Sequence, residues 1–330
     1  MKSLKLVSSV LILAASLFAF AQETPTAQAE STTAVEAQAP SAAPNLFFGY
    51  NYYHYELNGQ RGANTNIYRF GKSTVDLHIL SATYLYSPAW TIVTLVPHIS
   101  SKVETVYEPL ANGGFSLTDT TKGLADVRVM AITPISLDQS HMTMVDVGVS
   151  LPTGSINEYF TSNQTQRAAY NMQPGSGTPD LVLGATVSNI QKQLNSSLRG
   201  QATFRGGKNA NGYNLGTEFL AKATSIYSVN PYFSGGLIGN YKTRGPVEGR
   251  DEKYELSNNF VGQTAVGNGN QFYHSAQMTW DATAMAKVQS TGALNAALEV
   301  GVPFAQGAQN KDDVELKIQY YAAASLNASF

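Results

Sequence analysis

The chain has 330 residues, enough for one large β domain, and no cysteine, which excludes disulfide frameworks and thiolate metal sites. Its 23 acidic and 21 basic side chains leave none of the cationic excess that nucleic-acid binding demands. Only 13% of residues are charged, while 28 Gly and 18 Tyr favour strands, turns and aromatic girdles over helices.

Residues 1–21 read as a secretory signal peptide. Lys2 and Lys5 supply the positive end, Leu6 to Phe20 the apolar core, and Ala19-Phe20-Ala21 the small-x-small cleavage site. Residues 22–44 are rich in Ala, Thr, Gln, Pro and Glu, with Val35 as their one large apolar side chain. Such a stretch buries too little to fold alone, so it reads as a disordered periplasmic tail. No later stretch has the roughly 18 uninterrupted apolar residues of a membrane helix. If the mature chain spans a membrane, strands do it.

From residue 45 onward, twelve segments alternate apolar and polar: 46–56, 74–86, 89–103, 124–135, 141–151, 178–190, 196–206, 212–226, 229–243, 272–287, 291–303 and 314–330. Successive side chains of a strand point to opposite faces, so each segment has one oily and one wet face. In 196–206, Leu198, Ala202 and Phe204 oppose Arg199, Gln201, Thr203 and Arg205. In 212–226, Leu215, Phe219, Ala221 and Ala223 oppose Glu218, Lys222 and Thr224. The connections alternate too. Short ones follow segments two, four, six, eight and ten, and long ones follow one, three, five and nine; only the 207–211 turn and the 304–313 loop blur this. Outer-membrane barrels have short periplasmic turns and long outer loops. The expected fold is all-β: a transmembrane antiparallel up-and-down barrel of about twelve strands over 45–330, in the bacterial outer membrane, with both termini periplasmic.

The last segment is the clearest. Val314, Leu316, Ile318, Tyr320, Ala322, Ala324, Leu326, Ala328 and Phe330 share one apolar face. As an open edge such a strand would be an aggregation template; barrel closure pairs it and lipid accepts its oily side. The terminal Phe330 resembles the assembly signal of outer-membrane barrels, which makes the outer-membrane assembly machinery and the lipid bilayer expected partners.

A charge facing lipid at mid-depth costs about 2–4 kcal/mol for Arg or Lys, so charged faces belong inside. The lumen-lining candidates are Arg128, Asp146, Arg199, Arg205, Glu218, Lys222, Asp281, Glu299, Glu315 and Lys317. Both signs are present, which argues against a strong ion filter. Loops 152–177 and 244–271 are expected to fold over or into the mouth. Trp90, Trp280, Tyr50, Tyr52, Tyr84 and Tyr86 are girdle candidates.

Three stretches, Gly123-Leu124-Ala125-Asp126-Val127, Gly148 to Gly154 ending in Leu-Pro-Thr-Gly, and Gly175-Ser176-Gly177-Thr178-Pro179-Asp180 leading into the next strand, together resemble a family of outer-membrane proteins labelled for the meta-pathway of phenol degradation. The resemblance covers the middle 60 or so residues and implies a barrel passing small, hydrophobic or aromatic solutes; it assigns no binding residue. Read alone, Gly123 allows a turn, Asp126 caps nearby backbone N–H groups, Pro152 ends a strand and Gly154 allows the turn after it.

Chemistry was sought against this background. His98 and Ser100, two apart on one strand face, have the spacing of the base and nucleophile of the outer-membrane phospholipase, which the pair resembles without its following Asn-Gly. The plainer reading is a polar pair in the lumen or at its rim. The five His have no zinc spacing, and Gly249-Arg250-Asp251-Glu252-Lys253 reads as a solvated loop rather than a calcium site. No cofactor or metal is expected. The favoured reading is a passive channel for small solutes, not an enzyme. The alternatives are a lipid hydrolase built on His98 and Ser100, and a structural or adhesive barrel with a closed lumen.

Overall fold

A computed structural model describes residues 46–60, 68–87, 89–107, 115–138, 140–161, 167–168, 170–230, 232–249, 251, 277–289, 294–308 and 315–329. The signal-peptide and tail segments (1–21 and 22–44) and Phe330 lie outside these described residues. The strands are β1 (Leu46–Gln60), β2 (Tyr68–Phe70), β3 (Lys72–Ser87), β4 (Trp90–Tyr107), β5 (Phe115–Leu124), β6 (Val127–Leu137), β7 (His141–Leu151), β8 (Asp180–Ile190), β9 (Leu194–Phe204), β10 (Tyr213–Asn214), β11 (Glu218–Ser228), β12 (Phe233–Arg244), β13 (Glu248–Gly249), β14 (Gln277–Gln289), β15 (Leu294–Ala308) and β16 (Glu315–Ser329).

Every ladder is antiparallel, and the ladders form a ring. β3 joins β1 to β4, β4 joins β6, and neighbours then follow through β7, β8, β9, β11, β12, β14, β15 and β16 back to β1. β5 and β6 both pair with β4, at opposite ends, and act as one strand broken at Ala125-Asp126. The wall therefore has twelve staves: β1, β3, β4, β5 with β6, β7, β8, β9, β11, β12, β14, β15 and β16. Closure removes every sheet edge, which is what a wall of backbone in lipid requires.

The alternation in sequence is the alternation in space. On β9, Arg199, Gln201 and Thr203 are buried while Leu198 and Phe204 are exposed. On β15, Leu294, Leu298, Val300 and Val302 are exposed while Glu299 is buried. On β16, Tyr320 and Leu326 are exposed and Tyr321 is sealed inside.

Several sequence expectations need correction. The fourth stave begins at Phe115, not 124, because β5 extends into the expected 104–123 loop. Gly123 lies within β5 rather than at a turn. The 207–211 turn belongs to a 205–217 connection at the long-loop end, carrying β10 paired with β13, so the short–long rhythm is cleaner than the sequence implied. Leu215 falls in this connection and is buried instead of facing outward with Phe219. Finally, β16 is not one unbroken alternation. Glu56 pairs with Tyr320 but Leu57 pairs with Ile318, so Gln319 bulges. The bulge flips the phase, and Ile318 packs against the interior cluster beside Leu57.

Candidate functional site

The three motif stretches, far apart in sequence, meet at the long-loop end and tie the 152–179 loop into the barrel. Asp126 sits at the β5–β6 break, so its carboxylate leaves the ladder. One oxygen accepts the Gly154 N–H (2.9 Å), and the other accepts both the N–H (2.7 Å) and hydroxyl (2.6 Å) of Ser176. Asp126 therefore clamps two distant backbones instead of capping nearby N–H groups. Thr153 adds a second stitch: its hydroxyl donates to the Ala125 carbonyl (3.0 Å) and accepts the Val127 N–H (2.9 Å). Gly154 and Gly175 lie backbone to backbone, and a Cβ on Gly154 would come within 2.6 Å of the Gly175 Cα. Glycine is required there for close approach rather than for a turn dihedral.

Beyond the knot, the loop makes an apolar plug. Ala168, Tyr170 and Met172 pack with Val103 of β4, Tyr213, Leu215 and Val247. The Tyr170 and Tyr213 rings lie 4.3 Å apart, and burial pushes the Tyr213 phenol pKa up. Thr121 donates to the Met172 carbonyl (2.7 Å), Asn209 to the Ser176 carbonyl (2.9 Å), and the Tyr170 hydroxyl accepts the Asp251 N–H (2.8 Å). Arg167 and Asp251 form a buried ion pair at 3.1 Å, so Asp251 is not part of a solvated loop.

Below the plug, charged side chains run across the inner wall. Asp180 accepts from Thr178 (2.6 Å) and Arg205 (2.7 Å); Arg205 also reaches Glu218 (2.7 Å), and Lys242 approaches the other Glu218 oxygen at 3.7 Å. Deeper still, Arg199 on β9 grips both Asp146 oxygens on β7, at 3.1 and 3.2 Å, over the intervening strand. Arg128, Lys222 and Glu299 also face the interior and are buried. The signs nearly balance along this wall.

The opposite wall is oily on its inner face. Tyr53, Tyr55, Leu77, Ile79, Val93, Leu95, Met130, Ile132, Met142 and Met144 point inward from β1, β3, β4, β6 and β7 and pack together, joined by Tyr321. At the short-turn end the interior is polar again. Asn51, Thr91, Ser188, Asn195 and Thr224 have buried polar atoms without a hydrogen-bond partner among the described residues.

The sequence-named residues divide as follows. Arg128, Asp146, Arg199, Arg205, Glu218, Lys222 and Glu299 all face the interior, and four of them are paired within it as described. The side chains of Asp281, Glu315 and Lys317 lie outside those described. The register sets Asp281 opposite the buried Asn240, whereas the Gln319 bulge sets Lys317 and Glu315 opposite Asn58 and Gln60, out of phase with the interior positions above it. His98 and Ser100 are neither lumenal nor at the rim: they share the outer face of β4 and, among the described residues, make no hydrogen bond to each other. Tyr84, Tyr86 and Trp90 are exposed together at the short-turn end. Tyr50 and Tyr52 instead bond outside to His78 (2.7 Å) and Asp76 (2.7 Å), and the Trp280 side chain lies outside those described. Sequence reasoning missed the inner apolar arc. Its signal was present, since Val129 to Ile132, and Met142, Met144 and Val145, put apolar side chains at odd and even positions alike.

No protein-family model matches the chain, and a search of curated proteins finds no match. Among solved structures the chain is similar to an outer membrane channel from Pseudomonas putida F1, at 13% identity and a TM-score of 0.56, over 89% of this chain and 100% of that one. Looser likenesses are to the transport unit of the autotransporter AIDA-I from Escherichia coli (10% identity, TM-score 0.45, 99% and 97% covered) and to the CymD monoaromatic hydrocarbon channel (8%, 0.39, 87% and 89%). The first likeness concerns the fold and agrees with the pairing: an antiparallel β-barrel of the outer-membrane type.

Proposed function

We propose that this barrel is a passive outer-membrane channel for small solutes with an apolar body and a polar end. The long loops face outward and both termini face the periplasm, as the short–long rhythm of connections supports. The observation that carries the reading is the two-sided interior: a charged, sign-balanced wall on β8, β9, β11 and β12 faces an oily wall rich in Met on β3, β4, β6 and β7. A purely polar lumen would exclude apolar compounds, and a purely apolar one would exclude water. Met side chains are flexible enough to part around a guest and close again. The 152–179 plug gates the outer mouth, and Arg128, Asp146, Arg199, Arg205, Glu218, Lys222, Asp281 and Glu299 line the path. Channels for aromatic compounds exist among barrels, and the motif resemblance implies such cargo. Asp76, across the ladder from Ser100, is engaged by His54 (2.8 Å) and Tyr52, so it does not orient His98.

Planar-bilayer conductance together with liposome uptake tests the proposal. Small aromatic acids or alcohols should enter proteoliposomes faster than sugars of equal size. A barrel that inserts, yet neither conducts nor speeds uptake of either class, removes the channel reading.

A further inference from the structure

Most of the outer wall is uniformly apolar: Val147 and Val149 on β7, Leu181 and Val187 on β8, Leu198 on β9, Phe219 on β11, Leu298 and Val300 on β15. One sector is different. On β1, β3, β4 and β5 the outward positions toward the long-loop end include Tyr50, Tyr52, His54, Glu56, Asp76, His78, His98, Ser100, Lys102 and Lys122. Polar groups on a lipid-facing wall are costly, so this sector calls for a ligand that repays their removal from water.

The charges there are not random. Glu56 is taken by Lys72 (2.9 Å) and Tyr320 (3.0 Å), and Asp76 by His54 and Tyr52. The Glu104 carboxylate turns aside to accept the Lys72 backbone N–H at 3.1 Å. Two cations remain. Lys102 and Lys122 are exposed, and neither makes an ion pair among the described residues. The β4–β5 register pairs Ser100 with Lys122 and Lys102 with Thr120. The Cβ atoms of residues so placed are roughly 5–8 Å apart, so the two ammonium groups and two hydroxyls are within reach of a common point. Like charges held this close ask for an anion between them.

Depth identifies which anion. Lys102 stands twelve residues along β4 from Trp90 in the aromatic cluster of the short-turn end. At about 3.3 Å per residue and a tilt near 40°, that is roughly 30 Å, the thickness of the apolar core. The lysines thus lie at headgroup level of the leaflet on the long-loop side. Beneath them come hydrogen-bonding groups: His98, His78 (ring centroids 6.1 Å apart) and Tyr50, whose hydroxyl bonds His78. Exposed Leu124 lies level with His98, exposed Leu80 level with Tyr50, and exposed Ile92 below them. From the long-loop end downward the sector passes from lysines to hydrogen-bonding groups flanked by oily side chains, and then to an oily surface.

We propose that this sector binds a phosphorylated lipid of the outer leaflet, its phosphate held by Lys102, Lys122 and Ser100, its polar backbone by His98, His78 and Tyr50, and its acyl chains along Leu80, Ile92 and Leu124. The site depends on the barrel's placement in the membrane and not on solute passage. The test uses the full chain in bilayer nanodiscs containing phosphorylated glycolipid of the bacterial outer leaflet, with native mass spectrometry of retained lipid. The Lys102→Gln/Lys122→Gln double variant should retain phosphorylated lipid about tenfold less, since each surface Lys contributes measurably to anionic-lipid binding. Lys192→Gln, at a short turn, should match the unsubstituted protein. Heat-modifiable mobility must be unchanged in the double variant, and a His98→Ala/His78→Ala variant, which leaves the lysines, provides a second reading with a smaller loss. Equal retention by all variants overturns the proposal. So does binding of inorganic phosphate as tightly as lipid, which would make this a free-anion site. Cross-linking between barrels through Ser100→Cys, insensitive to lipid, would overturn it in favour of a second copy of the chain.

Discussion

Arg199 reaches Asp146 because Gly184, on the strand between them, has no side chain; a Cβ there would collide with the Asp146 carboxylate. The pair is buried in the inner wall, so its value depends on both partners being present. Removing one leaves a buried charge uncompensated, which costs roughly 3–5 kcal/mol. Arg199→Met alone should destabilise the barrel by about that much in urea titrations from lipid vesicles. Arg199→Met combined with Asp146→Leu should recover most of the loss, since a buried pair can be replaced by apolar side chains at little net cost. Simple addition of the two single losses would deny the coupling. The sequence put both residues on inner faces by alternation alone. It did not put them together, because the contact skips a strand and depends on a glycine whose role no periodicity reveals.

At the scale of elements, the 152–179 loop is a plug because Asp126, Thr153 and Ser176 anchor it. Two charge-assisted hydrogen bonds from Ser176 and one from Gly154 converge on a single carboxylate, each contributing roughly 1.5–3 kcal/mol. Asp126→Ala should free the loop while leaving the ladders intact. Single-channel conductance should then rise severalfold, and protease should cut within residues 155–170 of the inserted barrel. Unchanged conductance with unchanged protection would mean that the apolar packing of Tyr170 and Met172 holds the plug by itself. The three motifs stood out in the sequence as turns and strand ends. Their meeting did not, because Asp126 and Ser176 are 50 positions apart and join only through closure of the wall. β5 was hidden for a related reason: Thr118 to Thr121 are small and polar on both faces, so no alternation marks them.

For the whole molecule, orientation of the faces is the testable claim. Leu298 stands at mid-strand and is 65% exposed on the outer surface. Leu298→Arg should cost about 2–4 kcal/mol of folding stability in vesicles. Glu299→Gln, the next residue and buried inside, provides the inward comparison with no new charge set against lipid. If Leu298→Arg were neutral, that face would not meet hydrocarbon. The ring of twelve staves was readable from period-two alternation and loop rhythm, since both follow directly from wall geometry. The bulge at Gln319 and the oily inner arc were not, because one is a single-residue slip and the other lacks a polar face to contrast with. That arc has a consequence before the wall exists. β6 and β7 carry aliphatic and Met side chains on both sides, so before the wall closes this stretch has no wholly polar face to turn toward water. Segment 127–151 should therefore self-associate when the unfolded chain is held in water, read as aggregation of the isolated peptide.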